Sequence, residues 1–443
     1  MKRIRPWLIL ISAALLPACG GGSGDSAPPP PPGPVNLGMG GTSGGAHSGT
    51  IYVTVIDTQT GNALPGAVVS LGAGGTISII TDANGQGSFS GLAAGSPQIV
   101  TAANTGYGTD TLYDTTATNL TFSLDPLSWV SPSVQGTVFG ITPGTTGNRG
   151  FMDCDLQRPE GGAAGDDASL DAASVATTSD TYQLVVSSGH SFAVSAIQTG
   201  ASGNFVVVKN QPALSSGETR TVNLTLPTPA AVPTNLTGGT VTGTLPSSLG
   251  YDIIQMVMFF PGNIGGGAAC GTGVTAGGFY SSTLYTDPEA VYYQAMAIRF
   301  PTGGGIGVGT ASSTAPFSST PILSIPDSPA QVLPAPAATG QGVNPVLTWT
   351  QVTGAEIYRI TLAWSVSATP RRWKITRAAG IGSLTIPTLP APVSGQGLSA
   401  GNTVTWNATV YGVSALDLNN ATSASIRRNL EGLTTTPNST FTP

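Results

Sequence analysis

Two cysteines in the interior of the chain, Cys154 and Cys270, carry its most reactive side chains. They could form a disulfide if their backbones approach to within ~7 Å; otherwise they are two separate thiols. No CxxC pair exists, so zinc and dithiol redox motifs are absent. Asp153 and Asp155 flank Cys154, and adjacent negative charge disfavours the thiolate that a nucleophile needs. Asp153, Asp155, Asp166, Asp167 and Asp171 form an acidic stretch. A calcium ion would want six to eight oxygens from such a loop. The spacing is irregular, so a solvated loop is expected instead. His47 and His190 are the only histidines, and neither HExxH nor GxSxG occurs. A paired-carboxylate hydrolase would be recognised only from spatial proximity. The sequence therefore predicts no enzyme, no cofactor and no metal.

Other residues could carry binding. Arg371, Arg372, Lys374 and Arg377 are the only basic cluster outside the N-terminus. They could meet an anionic partner, but short charge runs usually lie on solvated hairpins, and that is the expectation here. Tyr293 and Arg299 share one face of an alternating stretch and could present to a sugar, but one such pair is common by chance and an ordinary strand surface is the expectation. Gly262 to Gly278 lacks the Gly-Lys-Ser/Thr ending of a phosphate loop and is read as a plain loop.

The N-terminus sets the compartment. Lys2, Arg3 and Arg5 precede an apolar run from Trp7 to Leu16 that is too short to span a membrane and suits a signal peptide. The run ends in Leu16-Pro17-Ala18-Cys19, which resembles the bacterial lipobox. That resemblance implies cleavage before Cys19 and acylation of Cys19, so that membrane lipid becomes a partner. The absence of aspartate after Cys19 implies the outer membrane by the same analogy. Residues 19–48 are rich in glycine and proline and read as a linker that holds a body off the lipid surface.

Composition agrees with export. Charged residues make up only 8% of the chain, against about 25% in an average soluble protein. The net charge of −6 becomes more negative once Lys2, Arg3 and Arg5 are removed. Nucleic acid is then a poor partner, because phosphate binding needs clustered lysine and arginine. An internal isopeptide bond is not expected either. It needs a buried lysine, and beyond the N-terminus the chain has only Lys209 and Lys374.

Strand periodicity fills the rest. Ile51, Val53 and Val55 alternate with Tyr52 and Thr54, and Val404, Trp406, Ala408 and Val410 alternate likewise. Such segments, punctuated by turns such as Thr81-Asp82-Ala83-Asn84-Gly85, predict an all-β chain of tandem β-sandwiches. That turn is read as a β-turn, since a calcium loop needs more oxygen ligands. Tyr251 to Phe260 reads as a strand buried on both faces. The modules fall at 49–126, 127–230, 231–326 and 327–443.

Two modules carry recognisable motifs. Val55-Ile56-Asp57, Thr60-Gly61, Leu64-Pro65-Gly66-Ala67, Thr81-Asp82-Ala83-Asn84-Gly85, Gly91-Leu92 and Gly106-Tyr107 resemble the carboxypeptidase regulatory-like domain, a transthyretin-like (prealbumin-like) sandwich. The resemblance implies a non-catalytic accessory. Trp349, Gly354-Ala355 and Tyr358 resemble the strand-B and strand-C signature of a fibronectin type III domain, an immunoglobulin-like sandwich, with Trp406 where that family has a tyrosine. Together these features predict a lipid-anchored envelope protein that binds a glycan or a surface protein without catalysis. A pure spacer or scaffold of the envelope is the first alternative, and a secreted hydrolase with an unrecognised carboxylate site is the second.

Overall fold

The computed structural model describes residues 41–140, 149–154, 179–185, 192–198, 205–226, 237–244, 251–260, 264–274, 279–286, 292–299, 306–313, 325–413, 416–421 and 430–443. Strand dominates among the described residues, as the alternation predicts, and the architecture is that of β-sandwiches. The chain divides into two compact units.

One unit joins residues 41–129 to Pro326–Pro443. Its N-terminal part contributes β1 (Gly41–Ala46), β2 (Ile51–Asp57), β3 (Val68–Leu71), β4 (Ile77–Ile80), β5 (Gln86–Phe89), β6 (Gln98–Ala103), β7 (Thr109–Thr115) and β8 (Ala117–Leu124). Its C-terminal part contributes β9 (Gln331–Leu333), β10 (Val346–Trp349), β11 (Ile357–Val366), β12 (Thr369–Ala378), β13 (Ser383–Thr385), β14 (Val404–Val413), β15 (Leu430–Thr435) and β16 (Ser439–Phe441).

A single sheet runs through both parts in the order β15-β14-β11-β12-β7-β6-β3-β4, with β16 also on β14. The seam is a parallel pairing of β12 with β7. Strands pleat, so neighbours along a strand face opposite ways. Leu112, Val100, Ala102, Val69 and Leu71 face a core shared with Ile51, Val53, Leu120 and Phe122 of the β1-β8-β2-β5 sheet. Tyr113, Ala103 and Val68 instead join the core of Ile360, Trp373, Trp406 and Leu347, which the β9-β10-β13 sheet helps to enclose. The two sandwiches thus lie on opposite faces of one shared sheet, although more than 200 residues separate them in sequence.

Two glycine-rich stretches differ from their sequence reading. Gly41–Ala46 falls within the expected linker, yet it is strand β1 and pairs with β8. His47 follows it into the interior and is 1% exposed. Ile264–Val274, expected as a loop, is an eleven-residue strand beside Tyr251–Phe260. Backbone pairing supplies the hydrogen bonds that make a strand, so an already formed neighbour can order glycine despite its entropic cost.

The Asp82 turn forms as read. The Asp82 carboxylate accepts hydrogen bonds from the backbone N–H groups of Asn84, at 2.8 Å, and Gln86, at 2.9 Å. Gly85 closes it at φ +68°, where an added Cβ would lie 2.5 Å from the Val55 carbonyl oxygen. Gly85→Ala is therefore expected to destabilise the unit by about 1–3 kcal/mol, combining left-handed strain with that clash. Gly66→Ala, at φ +76° but in open space, should cost less. Paired urea titrations would compare the two.

In the other unit, Arg149–Cys154, Phe192–Gln198 and Phe205–Gln211 form one antiparallel sheet. Ser133–Phe139 pairs with Ser179–Val185 and with the short strands Thr219–Thr221 and Leu224–Thr225 in a second. Val134, Val138, Tyr182, Val222, Leu224 and Leu226 are buried there. Tyr251–Phe260 lies between Ile264–Val274 and Tyr292–Arg299, and Thr237–Thr244 pairs with Phe279–Thr286.

Candidate functional site

The seam between β7 and β12 concentrates the charged chemistry of the described chain. In β12 the pleat sends Trp373, Ile375 and Arg377 to one face and Arg372, Lys374 and Thr376 to the other. The parallel register sets Lys374 opposite Asp110, Ile375 opposite Thr111 and Arg377 opposite Tyr113. Asp125, just beyond β8, reaches the same place because Gly108 N–H holds its carbonyl at 2.8 Å.

Lys374 Nζ lies 2.7 Å from Asp125 Oδ2, with the two side chains only 6% and 10% exposed. Arg372 approaches the same oxygen at 3.3 Å from a largely solvated position. Asp110 is 2% exposed, and its Oδ1 has no hydrogen-bond partner among the described residues. Burial pushes the Asp110 carboxyl up to about 7. Lys374 and Arg359 pull it down and Asp125 pushes it up further, but desolvation dominates.

The opposite face of the seam is also tied. Trp373 Nε1 donates to Thr111 Oγ1 at 2.8 Å, and Thr111 shares a 2.9 Å hydrogen bond with Thr101. Arg377 pairs with Asp114 at 2.6 Å, donates to the Ser383 carbonyl and lies 5.4 Å from the centre of the Tyr113 ring. Further contacts cross elsewhere: Thr388 N–H donates to Ala73 O at 2.8 Å, Thr42 Oγ1 to Leu418 O at 2.6 Å, and Thr116 Oγ1 to Asn419 Oδ1 at 2.6 Å.

The expected solvated hairpin of basic residues is thus corrected in part. Arg372 remains largely in solvent, but Lys374 and Arg377 are buried and ion-paired. Their partners lie some 250 residues away, and no local spacing signals them. The negative expectation about a buried lysine fails at the same residue.

The remaining candidates fall as follows. Cys19 lies outside the described residues, as do Asp155, Asp166, Asp167, Asp171 and His190. Cys154 ends its strand opposite Ala193, with Asp153 opposite Val194, and Cys270 lies opposite Gln255. Tyr293 pairs with Met258, and Arg299 ends that strand. His47 is a structural pin, its ring Nε2 2.9 Å from Ser96 O. Asp57 caps its turn through Gln59 N–H at 2.7 Å and Thr60 N–H at 2.9 Å, and Tyr107 donates to it at 2.9 Å. Burial and that carboxylate push the Tyr107 phenol up to about 12. Trp349 and Tyr358 are buried together, ring centres 5.3 Å apart. Among the described residues, no group of three or more histidine, cysteine, aspartate or glutamate side chains could hold a metal ion.

No family model and no curated protein matches the chain. Among solved structures it is similar to the Bacillus anthracis TIE protein, at 13% identity over 62% of this chain and 49% of that one, with a TM-score of 0.17. It is similar to a tetra-tandem repeat in the extending region of a large adhesion protein, at 12% identity over 88% and 99% of the two chains, TM-score 0.15. A streptococcal ancillary pilin matches at 8% identity over 62% and 98%, TM-score 0.15. The chain spans about half the length of the first of these.

Proposed function

We propose that this is a lipid-anchored cell-envelope protein with a non-catalytic binding or adhesion role. The observation that carries the reading is Leu16-Pro17-Ala18-Cys19 at the end of a charged-then-apolar leader, ahead of an all-β body. The acyl chains on Cys19 hold the body at the outer membrane, and the segment between Cys19 and β1 spaces it from the lipid. The body combines a carboxypeptidase regulatory-like sandwich and a fibronectin type III-like sandwich with the β modules at 127–230 and 231–326. Loops carried on a rigid scaffold are where recognition usually resides, and a glycan or another surface protein is the ligand class. Cys154 and Cys270 form a disulfide in this reading, supported by the packing of the strand Arg149–Cys154 against Ile264–Val274. A spacer role is favoured by one observation, the interlocked seam, which suits a load-bearing body as well as a binding one.

The test has two arms. Full-length protein expressed in a diderm bacterium should incorporate labelled palmitate and sediment with outer membranes. Cys19→Ser should abolish both, and recovery of the wild type in the cytosolic fraction would overturn the location. The body should then bind one class of arrayed glycans saturably, with competition by free sugar. Failure to bind any glycan, with capture of an envelope protein by cross-linking in cells, would move the role to protein recognition.

A further inference from the structure

We propose that Lys374 and Asp125 condense into an intramolecular isopeptide bond that closes the seam covalently, with Asp110 managing the protons. Three features of the site point there. The amine and the carboxylate are already in contact, 2.7 Å from Nζ to Oδ2. Holding reactants at such a distance turns a bimolecular step into a unimolecular one. Both groups are nearly withdrawn from water, which disfavours separated charge and makes the neutral amine and carboxylic acid accessible by proton transfer within the pair. The site also contains a third group that an ion pair does not need. Asp110 is set in register with Lys374, is buried, and keeps Oδ1 without a hydrogen-bond partner.

The chemistry balances without an oxidant or co-reactant. The ammonium of Lys374 passes a proton to the carboxylate side of the site, leaving a neutral amine. Nζ attacks Asp125 Cγ, and the new C–N bond forms as one C–O bond breaks. The departing oxygen leaves as water, carrying two of the three original ammonium protons. The third stays on the amide nitrogen. Asp110, a carboxylic acid near neutral pH, donates a hydrogen bond to the developing oxyanion and returns to its starting protonation. Arg372, 3.3 Å from Asp125 Oδ2, adds positive charge on the same oxygen.

Such a bond would join two sandwiches that lie at opposite ends of the described chain. Extension by force or local unfolding could then not separate them at the seam.

Intact mass and peptide mapping of the full chain test this. The expected result is a deficit of one water, with a branched peptide joining the segment containing Lys374 to the segment containing Asp125. Cleavage after Lys374 should be blocked. Lys374→Met and Asp125→Ala should restore the full mass. Asp110→Asn keeps the shape of the buried side chain but cannot act as an acid, so it should fold and remain largely unlinked, with circular dichroism confirming the fold. Recovery of unmodified Lys374 and Asp125 peptides from the wild type would overturn the proposal, and so would a water deficit mapped elsewhere. A wild-type yield of the bond in Asp110→Asn would overturn the role given to Asp110.

Discussion

Trp373→Ala is expected to destabilise the unit built from residues 41–129 and Pro326–Pro443 by about 3–5 kcal/mol, as for other buried large-to-small aromatic changes. The indole is fully buried in the core of Ile375, Trp406 and Leu362. It also sits on the seam, where its Nε1 donates to Thr111 of the other sandwich at 2.8 Å. The substitution opens a cavity and removes the donor that Thr111 accepts. Thr111 keeps its 2.9 Å hydrogen bond to Thr101, so part of that loss is recovered. Whole domains are stable by only about 5–15 kcal/mol, so the change consumes a large fraction. Because the seam belongs to both sandwiches, their unfolding should shift together. Guanidinium titrations followed by far-ultraviolet circular dichroism would read the shift. Tyr52→Ala provides the contrast, since Tyr52 is 54% exposed and an exposed change of this kind usually stays within about 0.5 kcal/mol. Equal effects of the two substitutions would rule out the packing role given to Trp373.

The difference between those two aromatic residues was only partly legible in the sequence. Alternation placed Ile51, Val53 and Val55 inward, and they are buried, with Tyr52 exposed between them. The same reasoning found Val404, Trp406, Ala408 and Val410. These succeed because a sandwich strand with one solvated face declares its inner face locally. At the seam that signal fails. Arg372, Trp373, Lys374, Ile375 and Thr376 alternate polar with apolar side chains as a half-solvated strand would. Yet from Trp373 to Arg377 the strand is buried on both sides. The groups that Lys374 meets on the polar face, Asp110 and Asp125, come from a part of the chain some 250 residues away, and parallel register leaves no turn signal between its strands. Asp110 is hidden for the same reason: in Thr109-Asp110-Thr111-Leu112 it looks like a surface residue, and the cations beside it, Lys374 and Arg359, lie about 250 residues or more away. His47 and the strand Gly41–Ala46 escaped because glycine composition speaks for flexibility, while their order comes from pairing with β8.

The stability of this unit should fall as the pH rises from about 4 to about 7, the opposite of ordinary acid denaturation. Asp110 is the cause. Its carboxyl is pushed up to about 7 in the folded chain, against about 3.9 when unfolded. Between those values the folded state holds a proton that the unfolded state has released. The unfolded chain therefore binds fewer protons, and stability decreases with pH across that window. Below about 4 both states are protonated and the effect vanishes; above about 7 it is fully present, on the order of a few kcal/mol. Other shifted groups act in separate windows. Asn420 and the Asn419 N–H hold Asp417 below the usual carboxylate range, so its contribution is lost only as the pH falls through that lower value. Burial pushes Tyr113 up to about 12, as for Tyr107, so both contribute stability that is lost only as alkaline pH rises through that value. Urea midpoints measured between about pH 4 and pH 8 should therefore decline through the neutral range in the wild type and stay flatter in Asp110→Asn. A closed Lys374–Asp125 bond removes two charges beside Asp110 but leaves its burial, the largest cause of the shift, so the direction of the slope holds and slopes are compared. A wild-type slope equal to that of Asp110→Asn would mean that Asp110 ionises in the fold at no cost.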